Sequence, residues 1–488
     1  MNYCGVIVFY RKKFVFILAM LTSAFAQAQS PQFQVEVSAD SVHVEAQYTV
    51  HGKTLALFNV QQTEQLPNGQ AGFIRNLVVK DADGKPVKFK ATEDGDWNLA
   101  RGNQTVTVSY DVVAEHGNYR WPAGEEEVAY RTNDGLFFTG YALFIVPAEK
   151  MDTDISVKFS LPTGWQASTP WRATGDNQFQ VYNRRELLVN AMFFGDAHRE
   201  VLKEGDYELE LVLGKNYANS SKLFTEVLRP MLKHSTELFG SAPKRNRYLI
   251  IVNEGASGDG GAFEGSFSQL INGPATENNR VVWGYVMAHE LFHFWNGVGL
   301  APAAETEEWF KEGVTDYMTS LLLYRHGVFN EQWFHKRLET MYTRYMIGKF
   351  YQRANVSLQE AGLDKQNQRA LVYGGGALVA IALEAEMRKA SNGEAGVAEL
   401  LRAMYQELAL QNKPYTLEDI RRLSKQISGY DPAPLFAEHV SGKGYLSLTE
   451  PLKQLGLSLA AFAEEATVTR DAAADELASK IHQKTFGL

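Results

Sequence analysis

The chain has 488 residues, 45% of them apolar and 22% charged, with a formal net charge of −9. That length is ample for buried cores and suggests roughly three domains. An acidic balance without a concentrated basic stripe excludes ordinary nucleic-acid binding, which needs clustered cations against phosphate.

The first 28 residues differ from the rest. Arg11, Lys12 and Lys13 precede the apolar run "FVFILAMLTSAFA", and Ala26 and Ala28 supply small residues. That order is the pattern of a secretory signal peptide cut after Ala28. It predicts an exported protein, periplasmic or secreted, or membrane-anchored if the segment stays uncleaved. Its removal moves the net charge from −9 to −12 and takes away Cys4, the single cysteine. Disulfides are then excluded, and any metal must be held by nitrogen and oxygen. No later stretch is long and apolar enough to span a bilayer.

Residues 29–200 alternate with period two. Val42, Val44, Ala46 and Tyr48 do so, then Val106, Val108, Tyr110 and Val112, then Ile155, Val157, Phe159 and Leu161. Turns such as "DADG" separate these runs, predicting an antiparallel β-rich domain. "YELELVLG" reads as its last strand or the first of the next unit. Residues 201–450 form a second domain, mostly helical after 281. It opens with a helix interrupted near Pro230 and a short buried strand, "RYLIIV". Residues 451–488, rich in Ala and Glu, read as a helical tail. The fold class is α+β.

"VMAHELFHFWNG" at 286–297 carries the chemistry. On a helix, residues four apart stack on one face, so His289 and His293 can chelate one zinc ion. Glu290 then stands where it can take a proton from an activated water. Two core histidines remain the plain alternative, but a second helix weakens it. Glu312, in "EEWFKEGVTDYM", follows His293 by 19 positions and can complete a His₂Glu set. Asp316, four residues on, is placed to accept a hydrogen bond from the distal nitrogen of a ligand histidine.

H-E-x-x-H, then Glu in "WFKEGVTDY", resembles the gluzincin metallopeptidases, whose second helix reads W-x-x-E-G. "HELFHFWN" with "EEWFKEGVTDYM" resembles more closely the glycyl aminopeptidase family, metallopeptidase family 61, related to the aminopeptidase N family. The β-rich first half, "YGGGALVAIALEAEMR" and "FAEHVSGK" are also similar to it. The resemblance implies a thermolysin-like catalytic domain and one zinc ion. It also implies a tyrosine that steadies the oxyanion; Tyr373, 61 positions after Glu312, matches, although glycines replace the usual lysine beside it. The amine-binding G-x-M-E-N strand of the related aminopeptidases, G-G-L-E-like in the glycyl family, is similar to "GDGGAFEGSF", although Phe263 replaces Met or Leu and Gly265 replaces Asn or His. That implies Glu264 as amine anchor, with Gly261 and Ala262 leaving backbone open to the peptide. Many relatives carry a further peptide-binding C-terminal module, for which the stretch after 451 is too short.

These readings predict an aminopeptidase acting on peptides. The alternatives are a zinc endopeptidase without amine recognition, or a peptide-binding protein that keeps the zinc site as scaffold. Residue preference and oligomeric state are not encoded in any motif.

Overall fold

The computed structural model describes residues 30–487, except 58–63, 352–354, eight positions between 115 and 126, and positions 150, 244, 257 and 259. The expected signal segment lies outside the described residues. Among those residues no helix is long and apolar enough to cross a membrane.

The first half is built on a seven-stranded sheet and two four-stranded sheets. Ser41–Val50 pairs antiparallel with Gln104–Val113, setting Val42 opposite Val112, Val44 opposite Tyr110 and Ala46 opposite Val108. These residues are fully buried, because alternation sends every second side chain to one face. The expectation of a purely antiparallel domain needs correction: Gln32–Val37 runs parallel to Ile155–Ser160. The 117-residue excursion between Val37 and Ile155 makes that possible, since only a long crossover can align parallel neighbours.

The second half begins at the strand His198–Glu204, so the boundary expected at residue 200 cuts through an element. This strand, Tyr207–Leu213, Arg247–Glu254, Ser266–Ile271 and the edge strand Gly260–Ala262 form a five-stranded sheet in that order. "YELELVLG" therefore belongs to this unit. One face carries Leu209, Leu211, Ile250 and Phe267 into the helical core. The other carries Val212, Leu249, Ile251 and Leu270 against Tyr130, Phe137 and Phe193 of the first half. The sheet is thus buried on both faces, which explains its continuous apolar runs.

Two further expectations are overturned. The helix Ser221–Phe239 continues through Pro230. Its buried stripe of Phe224, Val227, Leu228, Met231, Leu232 and Phe239 holds both sides of the proline in one helix, so tertiary packing outweighs the lost backbone bond. The tail is not all helical: Leu457–Phe462 and Glu465–Arg470 make a hairpin before the helix Glu476–Phe486. Ala463 takes φ +53° at its turn. The helix Glu331–Met346 clamps this hairpin, Thr343 donating to the Glu464 carbonyl at 2.8 Å.

Candidate metal centre

The histidine helix spans Arg280–Phe292 and buries Met287, Ala288, Leu291 and Phe292. A π-helical segment, Phe294–Gly299, follows, and within it Asn296 (φ −95°, ψ 83°) and Gly297 (φ 149°) leave helical geometry. Glycine suits that left-handed turn, and the break aims the Asn296 carbonyl at His293 Nδ1, 2.9 Å away. His293 can thus donate from Nδ1 and keep the Nε2 lone pair free. His289 Nδ1 faces Asp316 Oδ1 at 3.0 Å, somewhat off the line of an ideal hydrogen bond. Its Nε2 likewise turns inward.

Glu312 comes from a π-helical turn, Phe310–Val314, that leads into the helix Thr315–Arg325. Single π turns inside helices redirect side chains and are common at functional sites. The two Nε2 atoms lie 2.9 Å apart, and Glu312 Oε2 is 3.1 Å from His293 Nε2 and 3.4 Å from His289 Nε2. Three donor atoms therefore crowd one point. The side chains are 5%, 12% and 3% exposed for His289, His293 and Glu312, so water contributes little there. The carboxylate of Glu290 and the two ring nitrogens all lie within 4.8 Å of one another, and this is the one such group among the described residues. Two imidazoles and a carboxylate suit zinc, with a position left open beside Glu290.

Surrounding groups fix the donors. Asp316 takes a hydrogen bond from the Tyr285 hydroxyl at Oδ1 and from Arg344 Nη1 at Oδ2, the latter at 3.0 Å. Burial pushes the Asp316 carboxyl up, but His289, Arg344 and Arg337 outweigh it and hold it low. Burial likewise opposes the charge on Glu312, yet His293 and Lys365 hold its carboxyl well below the usual range. Burial pulls His289 down, but bonds to Asp316 and Glu312 prevail and lift it to about 10. A proton on His289 and a metal ion would compete for the same ring nitrogen.

Tyr373 sits in another π turn, Leu371–Gly375, its ring 6.0 Å from that of His289. Burial, then Glu312 and Glu290, push its hydroxyl well up, so it keeps its proton at neutral pH. The glycines after it are required by close approach: a Cβ on Gly374 would meet Tyr345 N at 2.3 Å, and one on Gly376 would meet Trp309 O at 2.1 Å. The lysine absent beside Tyr373 has no space here.

Glu264 lies just past the edge strand, where Gly261 pairs with Ser268 and Ala262 with Phe267. Gly261 is buried and Ala262 exposed. The next residue, Gly265, accepts the Leu249 N–H at 3.1 Å, and burial and then Glu290 raise neighbouring Tyr248. Glu264 Oε1 meets Arg245 at 3.0 Å and Arg185 at 3.5 Å, while Oε2 is buried with no hydrogen-bond partner among the described residues. The carboxylate is engaged by guanidinium groups rather than standing free.

Sequence reasoning missed Tyr285, Arg344 and Lys365. Tyr285 precedes His289 by four positions, a spacing that signals a shared helix face. Arg344 and Lys365 arrive from distant segments with no local sign. A cavity of about 610 Å³ opens elsewhere, between Lys336, Thr340 and Phe462; it contains none of these groups.

Two family profiles match the chain: the Peptidase M61 N-terminal domain over residues 24–190 and the M61 glycyl aminopeptidase over 284–379. Together they span more than half of it. The chain belongs to the M61 family. The second match contains His289, Glu290, His293, Glu312 and Tyr373. Among solved structures, an aminopeptidase N family protein from Idiomarina loihiensis is similar at TM-score 0.74 and 21% identity, over 88% of this chain and 79% of that one. That similarity concerns the fold. No curated protein matches this M61 sequence.

Proposed function

We propose that this peptidase is a zinc-dependent aminopeptidase, with His289, His293 and Glu312 as metal ligands. The observation that carries the reading is the convergence of His289 Nε2, His293 Nε2 and Glu312 Oε2 on one buried point. Zinc bound there would polarise the scissile carbonyl and acidify a water. Glu290 takes the proton from that water at its carboxylate and hands it to the departing amine nitrogen. Tyr373 donates its hydroxyl hydrogen to the oxyanion as the carbonyl becomes tetrahedral, and Asp316 holds the His289 ring in orientation. The strand Gly260–Ala262 stands at the end of its sheet among the described residues, the position beside which an extended peptide can align.

Glu290→Gln tests the chemistry. The variant should keep one equivalent of zinc and lose hydrolysis; full activity would remove Glu290 from the role of base. A second reading, an endopeptidase, is favoured by the Arg245 and Arg185 contacts to Glu264, because a neutralised carboxylate attracts an ammonium less strongly. N-acetylated peptides separate the two, since an aminopeptidase leaves them intact. The leader pattern supports export, which N-terminal sequencing of the mature chain would test by finding Gln29 first.

A further inference from the structure

The two oxygens of Glu312 have different neighbours. Oε2 faces the histidines, whereas Oε1 accepts from Lys365 Nζ at 2.5 Å, with Lys311 Nζ at 3.3 Å. Lys365 comes from the segment between the helix Leu358–Leu363 and the π turn that carries Tyr373. The same ammonium donates to Glu308 Oε2 at 2.8 Å, and Lys311 donates to both oxygens of Glu308 at 3.1 Å. Two carboxylates and two ammonium groups form a closed, charge-balanced cluster behind the ligand.

The side chains of Lys365 and Glu308 are 26% and 12% exposed, and that of Glu312 is 3% exposed. So little exposure means that water cannot replace a lost partner cheaply. A carboxylate with both oxygens free can ligate zinc through either one or both. Here the closest donor in the cluster sits on the oxygen that points away from the histidines.

Resting on the zinc reading above, we propose that Lys365 is a positioning residue that occupies Oε1 of Glu312 and restricts that carboxylate to one ligand oxygen, Oε2. The ammonium also draws charge from the carboxylate, which keeps it a weaker donor and leaves the ion a stronger Lewis acid. Lys311 is the weaker partner of Oε1. Lys311 is farther from Oε1 and adjoins Glu312 in the chain, already engaged with Glu308 one turn back.

The test uses the full chain, wild type and the variants Lys365→Met, Lys365→Gln and Lys365→Arg, each loaded with zinc for X-ray absorption and with cobalt(II) for visible spectra. Two charge-free variants are included so that one well-folded protein suffices. Wild type should show one carboxylate oxygen on the ion. The Met and Gln variants should gain a second oxygen, with a weaker cobalt spectrum and a kcat about tenfold lower, the scale typical of lost support for a metal ligand. Arg, whose fork can reach Glu308 and Glu312 together, should restore the wild-type spectrum. A wild-type spectrum in a folded Met or Gln variant overturns the role of Lys365 and leaves the zinc reading intact. A wild-type protein that takes up no ion overturns both.

Discussion

Gly313 lies against the backbone of Gly376: a Cβ on Gly313 would stand 2.1 Å from the Gly376 carbonyl carbon and 2.3 Å from Ala377 N. This contact sets the helix bearing Glu312 against the helix that follows Tyr373. Gly313→Ala should destabilise the protein by about 1–3 kcal/mol through overpacking and weaken zinc binding together with activity. Denaturant melts and chelator competition check it; unchanged zinc affinity would show that the crossing does not position Glu312.

The proton on His289 gives a pH signature. The ring is raised from 6.5 to about 10 in the metal-free protein, despite burial, by Asp316 and Glu312. A raised folded pKa stabilises fully below the unfolded value, so this contribution is present below pH 6.5 and fades as pH climbs toward 10. Denaturant melts of the metal-free protein across that window should show the decline. Zinc bound at the proposed site would displace that proton, so calorimetry near neutral pH in buffers of different ionisation enthalpy should register about one proton released from this ring. Zinc uptake with no proton released would contradict the assignment.

Asp316 Oδ1 stands 3.0 Å from His289 Nδ1. Asp316→Asn should lower zinc affinity about 10- to 100-fold, and excess zinc should restore part of the activity. Chelator titration measures the first effect. Wild-type affinity would mean that the Asp316 charge does not support the ring.

For Tyr373, the expected loss is confined to the chemical step. Tyr373→Phe should reduce kcat by about 10²–10³ while zinc content and KM stay near wild type. A rise in KM at constant kcat would place the hydroxyl in substrate binding instead.

Glu264 separates amine recognition from domain packing. If it anchors the substrate amine, Glu264→Gln should raise KM for free-amine peptides by about 10- to 100-fold, the worth of a charged hydrogen bond. Zinc binding should be unaffected. A fall in stability with KM unchanged would show that the carboxylate serves only Arg245 and Arg185, and would favour the endopeptidase.

Much of this molecule could be read along the chain because its signals are local. Four-residue spacing on one helix places His289 beside His293, and period-two alternation buries Val42, Val44, Val106 and Val108 in one sheet face. The signals failed where packing overrode propensity: Pro230 inside a continuous helix, and an Ala-rich tail folded as a hairpin clamped by Thr343. Sequence alone determined the candidate donor types and their approximate partners, because helix geometry converts spacing into direction. Tertiary structure decided which oxygen of Glu312 turns to the histidines, that Lys365 and Arg344 arrive from distant segments, and that Glu264 is engaged by two arginines. Those are contacts between remote segments, and their energies depend on burial and distances that no local pattern encodes.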